Sequence, residues 1–109
     1  MKDIIDSLVH FRDERDWAQF HNPKDLALAI NIEAGELLEV FLWKKPDEAD
    51  INKVKEELAD VFAYAFLLAD RYGLDVRELI LKKIEKNAEK YPIEKSSGNS
   101  KKYTDFWIH

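Results

Sequence analysis

The 109-residue chain contains no cysteine. This excludes disulfides, thiolate metal sites and cysteine nucleophiles, and it fits an expected cytoplasmic setting. Glycine and proline are scarce, three of each, and most of them fall between segments of regular apolar spacing. That punctuation belongs to an all-helical protein. No apolar run is long enough to span a bilayer. The N-terminal MKDIIDSLVHF lacks the basic region and long apolar block of a secretory leader, so no membrane partner is expected. An excess of positive charge is also missing. The formal net charge is -5 and is spread along the chain, whereas binders of nucleic-acid backbones are generally basic. A nucleic-acid polymer is therefore not an expected partner. There is no short-period repeat, and the only low-complexity tract is the brief SSGNS.

What is present is 46% hydrophobic and 36% charged residues, the balance of one ordered domain. A first helix is expected from Lys2 to about Trp17, apolar at Ile5, Leu8, Val9 and Phe11. AQFHNPK breaks that pattern. Asn22 then suits an N-cap with Pro23 at the first helical position, and the second helix is expected to reach Trp43 or Lys44. Pro46 in KKPDEAD stops it. Asp50 is the expected cap of a third helix from Ile51 to about Tyr72, closed by Gly73. Asp75 and Glu78 form a capping-box variant for a fourth helix ending near Tyr91 and Pro92. The rest, IEKSSGNSKKYTDFWIH, has the composition of a loop or tail, yet its YTDFWI is too aromatic to be idle in water. Helices two and three are long and joined by a short loop, so they should pack antiparallel. The expectation is an all-α antiparallel bundle of about four helices in residues 1–92, with 93–109 as the tail of the same domain. A chain this small buries a modest core alone, which makes partner chains plausible.

The second helix carries NIEAGELLEVFLW, with three carboxylates in a strongly apolar stretch. Residues three and four apart share a helix face. Glu33 and Glu36 thus lie on a line with Ala29, Val40 and Trp43, while Glu57 and Asp60 lie with Val54, Tyr64 and Leu68. Antiparallel packing lets E-A-G-E meet E-L-A-D. Four carboxylates brought together repel, and burying unpaired charge is costly. A hard divalent cation removes the cost. Oxygen-only ligands favour magnesium or manganese over zinc, and magnesium usually completes its shell with water and substrate phosphate. An acidic pair at this spacing is more often a solvated face, as expected for Glu39 and Glu56. The apolar neighbours of Glu33 and Glu36, and the second pair on the next helix, weigh against that here. A di-iron bundle would need E-x-x-H on two helices, and neither pair contains a histidine.

These residues resemble a known family. The two acid pairs, with ERDWAQFHNPKDLALAI before them, FLWK between them, KNAEKYP after them and SKKYTDF in the tail, look like the MazG-like all-α nucleoside triphosphate pyrophosphohydrolases. The match is nearest the dCTP pyrophosphatase branch and runs from about Phe11 to Phe106. The resemblance implies a magnesium site at Glu33, Glu36, Glu57 and Asp60. It implies a base and sugar pocket around Trp17, Ala18, Gln19, Phe20 and His21, with Trp43 and Tyr64. Phe20 suits core and pocket equally. Asn87, Lys90 and Tyr91 match the family's signature at the end of the fourth helix. Lys83, Asn87 and Lys90 share a face there, suited either to phosphate or to solvent. Lys101, Lys102 and Tyr103 are expected to help close the site. The family's dimers, which pair into tetramers, imply self-association. One position departs from the branch. Leu8 stands nine residues before Trp17, where the branch tends to carry a pocket histidine, and the nearby His10 is expected on a different face.

The resulting expectation is a magnesium-dependent hydrolase that cleaves a (deoxy)nucleoside triphosphate, dCTP-like, to the monophosphate and pyrophosphate in nucleotide-pool sanitation. Glu33 or Glu36 is the expected general base toward a water that attacks the α-phosphate. No serine, cysteine or histidine arrangement suggests a covalent intermediate. The alternatives are a related pyrophosphohydrolase of other base preference, such as dUTP, and a non-enzymatic helical interaction module in which the acids face solvent.

Overall fold

The computed structural model describes residues 1–98, apart from the Ser96 side chain. The expectations for YTDFWI, Lys101, Lys102 and Tyr103 lie outside the described residues. Five α-helices follow in order: α1 Lys2–Glu14, α2 Pro23–Glu39, α3 Ile51–Arg71, α4 Val76–Lys90 and α5 Ile93–Ser96. Single 3-10 turns occupy Ala18–Phe20 and Pro46–Glu48. There is no strand among the described residues, and no helix there is long and apolar enough to cross a membrane.

Helix starts follow their local chemistry. Asn22 Oδ1 accepts from the Asp25 N–H at 2.9 Å, and Pro23 follows where a missing N–H is harmless. Asp50 accepts from the Asn52 N–H at 2.9 Å, and Asp75 from the Glu78 N–H at 3.0 Å. The end of α3 closes on Gly73, whose φ of +66 lets its own N–H and that of Leu74 turn back onto Asp70 and Ala69.

Three boundaries differ from expectation. α1 ends at Glu14, not Trp17, because Asp16 enters the left-handed region at φ +54. The N–H groups of Asp16 and Trp17 then bond back to Asp13 and Arg12, both at 3.1 Å. This is the closure usually made with glycine, and it sets Trp17 edge-on to Phe11 with ring centroids 5.7 Å apart. α2 ends at Glu39, not Trp43. Beyond it Val40, Phe41 and Leu42 bond three residues back, and Trp43 takes φ +62. Pro46 then requires Lys45 to be extended, at ψ 155. Trp43 is thus not on the helical line of Glu33 and Glu36. Finally, α5 forms one helical turn at Ile93–Ser96, where a loop was expected.

The chain divides into two compact units, Met1–Leu74 and one that begins at Asp75. In the first, α3 packs along α2 and, less extensively, against α1. The α2–α3 pair is antiparallel: His21 lies beside Tyr64, Glu33 and Glu36 beside Glu57, and Val40 beside Lys53. Leu26, Val40, Leu67 and Ala69 are its buried apolar residues. The Arg12 guanidinium links α1 to the far end of α3 through Asp70, at 3.7 Å. The second unit contains α4, along which Lys83, Asn87 and Lys90 recur on one face.

Candidate active site

The antiparallel register of α2 and α3 fixes the acids. Glu33 and Glu36 stand one turn apart on α2, and α3 runs past them with Glu57. Each offers a carboxylate oxygen, and the three oxygens lie within 4.8 Å of one another. Asp60, one turn further along α3, stands at the edge of this cluster. Its charge acts on both Glu33 and Glu57, but it is not one of the three that meet.

The cluster is electrostatically unfinished. One oxygen of Glu33 and one of Glu57 are buried without a hydrogen-bond partner. Burial, followed by the neighbouring Glu36 carboxyl and the charges of Asp60 and Glu57, pushes Glu33 up to about 7. Glu57 is raised in the same way, by burial first and then by Glu36, Asp60 and Glu56. No cation among the described residues forms an ion pair with Glu33, Glu36 or Glu57. Buried acceptor oxygens with no donor, in a set of carboxylates only, suit a hard divalent cation.

A cavity of about 210 Å³ adjoins the cluster through Asp60. Trp17, His21 and Tyr64 line it, with Leu8, Phe11 and Leu67 as apolar wall. The His21 ring meets Tyr64 edge-on, with centroids 6.3 Å apart. Burial, then the Arg12 charge, lowers the His21 pKa, favouring the neutral ring. The Tyr64 phenol is raised by burial and then by Glu33, Asp60 and Glu36, so it senses the acid cluster directly.

The other expected pocket residues are placed differently. Ala18, Gln19 and Phe20 form the 3-10 turn between Trp17 and His21 and are not on the cavity wall. Phe20 is 63% exposed, and Gln19 donates to the Asp16 carbonyl and carboxylate at 3.0 and 3.2 Å. Trp43 is fully exposed and outside the cavity. Asn87 and Lys90 belong to α4 in the second unit, the first exposed and the second half-buried. Leu8 does face the cavity, whereas His10 is on another face, paired with Glu14 at 3.2 Å. Sequence reasoning missed Arg12, which lines the cavity with its side chain only 15% exposed. Its spacing of one turn from Leu8 was the available signal.

The model of the MazG-like family matches residues 28–106, a span that includes both acid pairs. The chain belongs to the MazG-like family. It is 38% identical to dCTP pyrophosphatase 1 of Mus musculus, an alignment covering 96% of this chain and 66% of the mouse protein. Identity to the Homo sapiens protein of the same name is 37%, with the same coverage. The chain therefore spans about two thirds of the length of these relatives. Among solved structures, a pyrophosphatase from Archaeoglobus fulgidus superposes with a TM-score of 0.79 at 41% identity, covering 84% of this chain and 92% of that one. The all-helical architecture matches the fold of that pyrophosphatase.

Proposed function

We propose that this chain is a cytoplasmic, magnesium-dependent nucleotide pyrophosphohydrolase. It splits a deoxynucleoside triphosphate of the dCTP kind into monophosphate and pyrophosphate, clearing surplus or non-standard nucleotides. The observation that carries this is the convergence of Glu33, Glu36 and Glu57, with two buried oxygens left unpartnered. The names of the relatives, dCTP pyrophosphatase 1 and a pyrophosphatase, support the reaction class.

Glu33, Glu36 and Glu57 would hold the ion, with Asp60 at its border. When bound there, magnesium or manganese would supply positive charge to offset the phosphates and the developing charge at phosphorus. Glu33 or Glu36 takes a proton from water. The water oxygen bonds to the α-phosphorus as the bond from that phosphorus to the bridging oxygen breaks, and pyrophosphate leaves with the electron pair. Trp17, His21 and Tyr64 hold the base and sugar beside the cluster. The Ala18–Phe20 turn sets the spacing of Trp17 and His21. Trp43 offers a stacking face from outside the cavity. Association into dimers or tetramers covers the exposed Leu28, Ile32 and Leu38 of α2.

Pyrophosphate release from a panel of ribo- and deoxyribonucleoside triphosphates, with magnesium and with excess chelator, tests the proposal. Release with a monophosphate product, lost in chelator, is the expected result. A ranking led by dUTP would change the substrate but keep the reaction. No release from any nucleotide by the folded protein would contradict the reaction, and the exposed apolar side of α2 would then favour an interaction module.

A further inference from the structure

The cavity beside the acid cluster has two polar groups whose hydrogen-bonding role the reaction above leaves open: Arg12, which it does not use, and His21 Nδ1. Arg12 lines it one helical turn from Leu8, with a side chain only 15% exposed. His21 Nδ1 is buried and has no hydrogen-bond partner. A guanidinium donates at all five of its N–H groups and accepts at none. Arg12 Nε donates to Asp13 at 2.9 Å, and one terminal nitrogen faces Asp70 at 3.7 Å. No other hydrogen bond or ion pair occupies this fork among the described residues. The remaining donors are free to meet an acceptor that enters the cavity. The space available, about 210 Å³, is below the roughly 300–1,000 Å³ of sites that enclose drug-sized ligands. It suits a single ring, with the rest of a nucleotide outside. Asp60 on the wall points the way from that ring to the acid cluster.

We propose that Arg12 reads a ring carbonyl of a pyrimidine base held in this cavity, and that His21 Nδ1 meets the same base edge. This rests on the pyrophosphohydrolase reading. The apolar Leu8 leaves α1 no other polar group on this wall, and Arg12 supplies one from the next turn. Cytosine and uracil both carry a ring carbonyl, whereas adenine has only ring-nitrogen acceptors and an amino donor. Cytosine brings an amino donor beside a ring-nitrogen acceptor, and uracil a carbonyl beside a ring N–H. A guanidinium next to a neutral imidazole accommodates either order, so the shared feature is the carbonyl.

The competing role for Arg12 is that of a strut between α1 and α3 through Asp70. Calorimetric titration of dCMP, dUMP and dAMP with magnesium present separates the two. The wild-type chain is compared with Arg12→Met, Arg12→Lys and Asp70→Asn, alongside turnover of the matching triphosphates. The wild type is expected to bind its better pyrimidine monophosphate at least about tenfold tighter than dAMP, and Arg12→Met to lose that preference. Arg12→Lys keeps the charge but not the planar fork, so it restores the preference only in part. Asp70→Asn breaks the strut and keeps the wild-type ranking. Equal binding of dAMP by the wild type would overturn the proposal. So would an Arg12→Met variant with the ranking intact, or an Asp70→Asn variant that loses it equally. Pyrimidine-selective binding without turnover of any triphosphate would contradict the reaction and keep the Arg12 assignment. Turnover with an Arg12-independent ranking would do the reverse.

Discussion

Glu33 is where charge and burial conflict most. Its carboxyl is pushed up to about 7 from an ordinary value of 4.5. The folded state then holds the proton more tightly than the unfolded state. That contribution to stability is fully present below pH about 4.5 and is lost as pH rises through about 7. Thermal melts of chelated protein are expected to give a lower Tm at pH 8 than at pH 5.5, with magnesium recovering the difference at pH 8. A Tm that rises over this interval would contradict the sign. Glu33→Gln removes the repulsion, so its chelated melt at pH 8 should match or exceed the wild type, while turnover falls by roughly 10²–10⁴-fold if Glu33 is the base. The acid cluster was legible because i, i+3 spacing within apolar sequence forces the carboxylates onto packed faces. The border position of Asp60 was not, because it depends on the rotation of α3 about its own axis. Arg12 escaped for a related reason: a lone arginine on an amphipathic helix looks solvated until the neighbouring helix covers it.

At the scale of the elements, Gly35 sits in the middle of α2, where an added Cβ would meet nothing within 4 Å. Glycine inside a helix costs about 0.5–1 kcal/mol relative to alanine. Gly35→Ala should raise unfolding stability by that amount in denaturant titrations. A loss of stability would mean that another chain presses on this side of α2. Asn22→Ala removes the α2 cap, bonded to Asp25 at 2.9 Å, and should cost about 1 kcal/mol. Starts such as Asn22–Pro23, Asp50 and Asp75 were readable because a cap is decided by three or four consecutive residues. The ends were less so. Asp16 stands where glycine would have announced the stop, and the turns from Val40 to Lys44 have no composition that separates them from helix. For the same reason Trp43, apolar and in register with Glu36 by spacing, leaves the helical line.

For the whole molecule, large apolar groups outnumber the places to bury them among the described residues. Leu28, Ile32 and Leu38 on α2 stay half or more exposed while few side chains are fully covered. Light scattering coupled to size exclusion should give a dimer or tetramer, and Ile32→Glu should shift it toward monomer. A wild-type monomer at micromolar concentration would leave that surface to another partner. The α2–α3 pairing was legible as a whole, since two long helices joined by a short loop have one economical arrangement. The division after Leu74 was not, since it follows from which helices touch. The central claim is that α2 and α3 together build a cation site, and a calorimetric titration of Mn²⁺ into chelator-stripped protein tests it most directly. The wild type should bind the ion, and a Glu33→Gln, Glu57→Gln variant of unchanged helical content should not. Equal Mn²⁺ affinity in the two proteins would contradict it.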